Sequence, residues 1–168
     1  LHMYIHLMEM SPHPEKALTH GDILTDLVPD AGHLVHMATH IDVLCGDYQH
    51  VLSRNLLAAR VDDEFKSYAG AENFYALYRI HTLHFAMYGA MFLGQKGAAL
   101  EAVSRLREEV PDEVVKLYPD IFETFVAAAP HVFIRFGMWD EITNLEQPED
   151  NKLYVTTNAL VYYAKAVA

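Results

Sequence analysis

A helix-breaking residue recurs at a fixed place in this chain, and that recurrence leaves few folds open. Gly46, Gly94 and Gly137 each stand five residues before an apolar residue, namely Val51, Ala99 and Ile142, and Pro12 stands five before Ala17. Glycine and proline both end a helix and let the chain reverse. The segments CGDYQHVL, LGQKGAAL and FGMWDEIT carry the glycine turns. Twelve residues after Ala17 and Ala99 come Pro29 and Pro111, and twelve after Val51 comes Asp63; these mark the expected ends of second helices. The pattern predicts a helix, a tight turn, a second helix and a stop, four times over, with a fragment of a fifth unit from about Leu153. One helix pair cannot bury its own apolar face, so the pairs must stack. The expected fold class is all-α, with eight or nine helices and no sheet.

The units are spaced 34, 48 and 43 residues apart, measured from 17 to 51, 51 to 99 and 99 to 142. The first spacing is the length of a tetratricopeptide repeat. The longer ones need insertions, and DEFKSYAGAENFYALYRI is a candidate, with Gly70 as its break. GDYQHVLSRNLLAARVD, GQKGAALEAVSRLREEVP and FGMWDEI resemble divergent tetratricopeptide repeats. SPHPEKAL, PDAGHLVHMATHI, HTLHF and RFGMWDEI resemble a large bacterial-type family of tetratricopeptide-repeat proteins. Val51 and Ile142 depart from the usual small residue, and Asp63 from the usual proline. The resemblance implies a right-handed superhelix in which the first helix of each pair lines a concave groove. Residues 1–168 read as one helical repeat domain. The opening LHMYIHLMEM and the closing NALVYYAKAVA both lie in mid-pattern, which reads as a cut through a longer array. Apolar surface at such cut ends is expected to favour self-association.

Eight of the eleven histidines fall on this pattern. His2 and His6 are four apart; His33, His36 and His40 follow i, i+3, i+7; His81 and His84 repeat the start of that triplet, and Tyr88 completes it. His6, His40, Tyr88 and His131 each precede an equivalent apolar position by eleven residues. Offsets of three, four and seven share one face of a helix. On the repeat alignment one layer should hold His6, His40, Tyr88 and His131, a second His2, His36 and His84, and a third His33 and His81. Glu9 joins the first unit. His13, His20 and His50 fall off the pattern and are expected at the surface.

Imidazole is a common metal ligand and titrates near neutral pH. Zinc takes about four ligands, with histidine nitrogen at ~2.0–2.1 Å. The pairs His2/His6 and His36/His40, on adjacent helices, would supply four. Glu9 would act as a ligand or as an acceptor that fixes a tautomer, and His33, His81, His84, His131 and Tyr88 would line the groove for a bound ligand. An all-nitrogen site also suits copper or nickel. HMYIH lacks the glutamate that a zinc protease motif places after the first histidine. The bland alternative is a polar interior, in which the histidines bond water, one another or Tyr4, Tyr78 and Tyr88.

The rest of the sequence narrows the function mainly by exclusion. A formal net charge of −11 disfavours nucleic acid and anionic membrane surfaces as partners. No run of about eighteen apolar residues is present. The single cysteine, Cys45, rules out an internal disulfide, suits a reducing and so cytoplasmic setting, and is expected to be a small buried residue. LGQKGA lacks phosphate-loop spacing, and no serine sits in a nucleophile elbow. The aromatics Phe65, Tyr68, Phe74, Tyr75, Tyr78, Phe85, Tyr88 and Phe92 should mostly pack helices, with Tyr75 and Tyr78 capping the groove. The acidic run REEVPDEVVKLYPDIFE reads as a solvated face. The favoured function is a binding module whose histidine groove holds a metal ion or small anion, more a binder than an enzyme. The alternatives are a scaffold that receives a peptide or protein partner and, more weakly, a metal-dependent hydrolase.

Overall fold

The computed structural model describes residues 1–70, 73 and 75–168. Among the described residues every regular element is helical, in the order α1 (His2–Glu9), a short 3-10 helix (Pro14–Ala17), α2 (Leu18–Leu27), α3 (Gly32–Met37), α4 (Thr39–Cys45), α5 (Tyr48–Ala69), α6 (Ala76–Phe92), α7 (Lys96–Glu109), α8 (Asp112–Leu117), α9 (Pro119–Val126), α10 (Ala128–Arg135), α11 (Trp139–Thr143) and α12 (Val155–Val167). That exceeds the expected eight or nine because two helices are broken in place and the short α8 is an additional one. Ala38 alone separates α3 from α4, and Ala127 alone separates α9 from α10. At the first break the Thr39 hydroxyl donates to the His36 carbonyl at 2.7 Å, a side-chain bond of the kind that bends helices. No helix is long and apolar enough to cross a membrane among the described residues.

The turns stand where the repeat places them. Gly46, Gly94 and Gly137 adopt left-handed backbone angles, φ 77°, 71° and 62°, as does Gly70 at 82°. Asp63 does not end a helix. The segment after it contains no breaker before Gly70, so α5 runs on to Ala69, and the Asp63 carboxylate is held by Arg105 of α7 at 2.8 Å. First helices touch first helices along the chain: α1 meets α3 and α4, α3 meets α6, and α6 meets α10. Second helices pack behind them, with α5 against α3, α4 and α6, and α7 against α6 and α10.

Two groups of buried apolar residues result. The larger runs from α5 to α12 and includes Ile80, Leu83, Met87, Leu106, Val110, Val115, Phe122 and Val132. The smaller holds Ile5, Ala17, Leu24, Met37 and Ile41. Ion pairs tie helices together: Arg54 on α5 reaches Asp42 of α4 at 2.7 Å and also Asp22 of α2. Glu109 accepts from Lys66 at 2.5 Å and Arg79 at 3.0 Å.

Several side chains depart from expectation. Cys45 is exposed, because it stands at the tip of the turn before Gly46. Phe65, Tyr68, Tyr88 and Phe92 are exposed rather than core; Phe74 lies outside the described residues. His20 is half-buried against the Tyr4 ring, 4.6 Å between centroids, whereas His13 and His50 are exposed as expected. The acidic run is not uniformly solvated: Glu109 is drawn in by its two cations, and the buried Glu123 carboxylate accepts the Thr157 N–H at 2.6 Å in the first turn of α12. A carboxylate there satisfies a donor that the helix leaves unpaired.

A candidate metal centre

The aligned faces of α1, α3, α4 and α6 converge between the smaller core and the Phe85 side chain. His6 lies 5.7 Å from His40 between ring centroids, as the first expected layer requires. The other layers are not formed as the alignment has them. His2 meets His33 at 5.1 Å and His6 at 4.9 Å, while His81 meets His36 at 4.8 Å and His40 at 5.5 Å. His81 thus meets His36 and His40 where His84 and Tyr88 were expected, a difference in the register of α6. Tyr88 is carried with it, and packs on Tyr48 and Phe92 at the turn between units. His84 faces Phe125 at 5.4 Å, and the charge of the exposed His131 reaches it. The single wall is therefore split into a cluster of six histidines and a separate pair.

Within the cluster, hydrogen bonds define the tautomers. Asn55 of α5 donates from Nδ2 to the Val51 carbonyl at 2.7 Å, which leaves its Oδ1 as an acceptor. His36 Nδ1 lies 2.6 Å from that oxygen and donates to it. His40 Nδ1 donates to Glu9 Oε1 at 2.5 Å, and His6 Nδ1 donates to Glu9 Oε2 at 2.9 Å. Neutral imidazole has one donor and one acceptor. His36 and His40 thus each present an Nε2 lone pair, and those two atoms face each other at 2.9 Å. Two acceptors at that distance repel unless a cation or a proton lies between them.

Burial opposes the proton. His36 is fully buried, and loss of solvent, with the nearby charge of His40, holds its imidazole well below the ordinary range. Burial also lowers His40, against the pull of Glu9. It pushes His81 down to about 4, reinforced by His40, and His33 down to about 4, reinforced by His2. His2 and His84 are lowered in the same way. Neutral imidazoles at pH 7 are what a metal requires.

The chain matches no protein-family model, no curated protein and no solved structure.

His36, His40 and His81 form the one group of three metal-ligating side chains among the described residues, with their donor atoms all within 4.8 Å of one another. Three close histidines can hold a metal ion. For tetrahedral bonds of ~2.0–2.1 Å, ligand atoms sit about 3.3 Å apart, so the side chains must draw together from spacings of up to 4.8 Å to close on an ion. His2 and His6, expected as ligands beside His36 and His40, stand outside this group and line the adjoining cleft instead. His81, expected only as a groove residue, stands in it.

Glu9 occupies the accepting position that the sequence suggested, one carboxylate across two imidazoles. Such outer partners orient a ligand and raise its basicity. Asn55 plays the corresponding part for His36 and was not singled out from the sequence. Its signal was available: an amide among Val51, Leu52, Ala58 and Ala59 on the buried face of α5. Phe85, four residues after His81, was read only as packing. Its ring touches His36, His40 and His81 at 4.8 to 5.0 Å and walls the site on one side. Tyr75 and Tyr78 stand where a cap was expected: the Tyr75 hydroxyl accepts the His33 N–H at 2.8 Å, and the Tyr78 ring lies 4.2 Å from the His33 ring.

Proposed function

We propose that this protein is a divergent tetratricopeptide-like binding module that holds a divalent transition metal on His36, His40 and His81. The carrying observation is the pair of Nε2 atoms at 2.9 Å, each made an acceptor by a donor bond on its opposite ring nitrogen. Zinc is the favoured ion, since it accepts three imidazoles without a preferred geometry of its own; copper and nickel suit the same nitrogens. The repeat reading draws support from the recurring glycine turns and from the succession of first-helix contacts through α1, α3, α6 and α10. A right-handed superhelix with these histidines on its inner side would place the metal in the groove.

Calorimetric melting of chelator-treated protein with added zinc tests the proposal. Only the folded chain presents the three ligands together, so zinc at a hundred times its Kd should add about 2.7 kcal/mol of stability. His81→Ala should remove most of that gain. His50→Ala should leave it intact, because His50 is exposed and bonds only the neighbouring Asp47. A zinc shift that survives both His81→Ala and His40→Ala would refute the assignment.

A further inference from the structure

The metal site opens on one side. His40 and His81 also line a cleft of about 360 Å³, together with His2, His6, His33, Leu77, Tyr78 and Phe125. That size falls among small-molecule sites, which run from ~300 to 1,000 Å³. Three protein ligands leave a tetrahedral ion with one position for water or a bound group, and the walls elsewhere are occupied by Phe85 and by Asn55 behind His36.

The lining has two kinds of surface. Leu77, Tyr78 and Phe125 give it an apolar floor. His2 and His33 also line it; His2 Nε2 and His33 Nδ1 are closed off from solvent with no hydrogen-bond partner among the described residues, and a ring rotation would bring either to a ligand. Buried polar atoms in that condition are costly unless something pairs with them. Charge points the same way. A divalent ion, three neutral imidazoles and the Glu9 carboxylate sum to one positive charge, and no lysine or arginine lines the cleft. A monoanion neutralises that charge, and a dianion overshoots it.

We propose that the cleft takes a small organic monocarboxylate: the carboxylate fills the open metal position, the imidazoles of His2 and His33 pair with its polar edge or its water, and its hydrocarbon body lies on Leu77, Tyr78 and Phe125. This rests on the metal reading above and adds the ligand to it.

The test uses cobalt(II) as the probe metal, because its visible bands report both occupancy and coordination. Cobalt alone should give the bands of a four-coordinate nitrogen-rich site. Sodium benzoate should then shift those bands saturably, and benzamide, neutral and of the same shape, should not. Acetate should shift them too, more weakly, for want of a hydrocarbon body. Leu77→Trp fills the cleft floor without touching a metal ligand. It should keep the cobalt bands and weaken benzoate by about tenfold, the equivalent of ~1.4 kcal/mol, while leaving acetate unchanged. Cobalt bands that no carboxylate perturbs overturn the ligand inference and leave the metal site standing. Absence of cobalt bands overturns both.

Discussion

On the N-terminal side of α6, beside the small core of Ile5, Ala17, Leu24, Met37 and Ile41, imidazoles gather between α1, α3, α4 and α6 with Glu9 and Asn55 as their partners. On the C-terminal side the space between α6, α7, α9, α10 and α12 is filled by Leu83, Leu106, Val110, Val115, Phe122 and Val132. Both regions are built from packed helices. Such packing demands only that one face of each helix be covered; it does not set the chemistry of the cover. Apolar contacts need no particular protonation state, so the C-terminal interior should hold across conditions. The histidine interior holds only while each ring nitrogen has a suitable partner, which makes it conditional on pH and on metal.

The largest effect that sharpens this contrast is a cavity on the apolar side. Leu106 is fully buried, and Leu106→Ala should cost about 2–5 kcal/mol. Urea melts at pH 7 and pH 5 should give nearly the same loss, since Leu106 packs in an apolar cluster.

Acid should act on the other side. The folded pKa values of His2, His33, His36, His40, His81 and His84 all lie below the ordinary 6.5. Below 6.5 the unfolded chain takes up protons that the folded chain refuses, so stability falls as pH drops from about 6.5 toward about 4. Asp42 and Asp62 oppose this. Burial raises both carboxyls to about 6, and their contribution grows as pH falls from there toward 3.8. Two acids cannot balance six bases, so the net change is a loss. Hydrogen exchange should localise it to α1, α3, α4 and the His81–His84 stretch of α6, with α7 and α10 protected until the whole chain opens. Equal loss of protection in both regions would break the comparison.

Smaller effects come from two glycines. Gly32, at the start of α3, lies so close to α5 that an added methyl would stand 1.9 Å from Asp62 Oδ1 and 2.9 Å from the Ala58 carbonyl. Gly32→Ala should cost about 1–3 kcal/mol through overpacking. Gly97, in the first turn of α7, has open space around it. Gly97→Ala should stabilise by about 0.4–1 kcal/mol, mainly by restricting the unfolded chain. Thermal melts of the two variants should move in opposite directions.

How much of this was legible beforehand follows from the physics of each residue. The helix turns were legible because left-handed backbone at Gly46, Gly94 and Gly137 has few alternatives in sequence. The histidine face was legible because helical periodicity is local. The register between faces was not. Whether His40 meets His81 or Tyr88 depends on how α3 and α4 pack against α6, and no local rule reports that packing. His2 and His6 were accordingly grouped with His36 and His40 as ligands, while the structure brings His81 to that place. Asn55 was missed because its importance comes from a partner nineteen residues away.

X-ray absorption at the zinc edge of the stoichiometrically loaded protein addresses the central claim most directly. The account predicts a four-coordinate first shell, dominated by nitrogen at ~2.0–2.1 Å with the outer scattering of three imidazoles, reduced to two imidazoles in His81→Ala. A shell of oxygen alone, or one containing the Cys45 sulfur at ~2.3 Å, would contradict it.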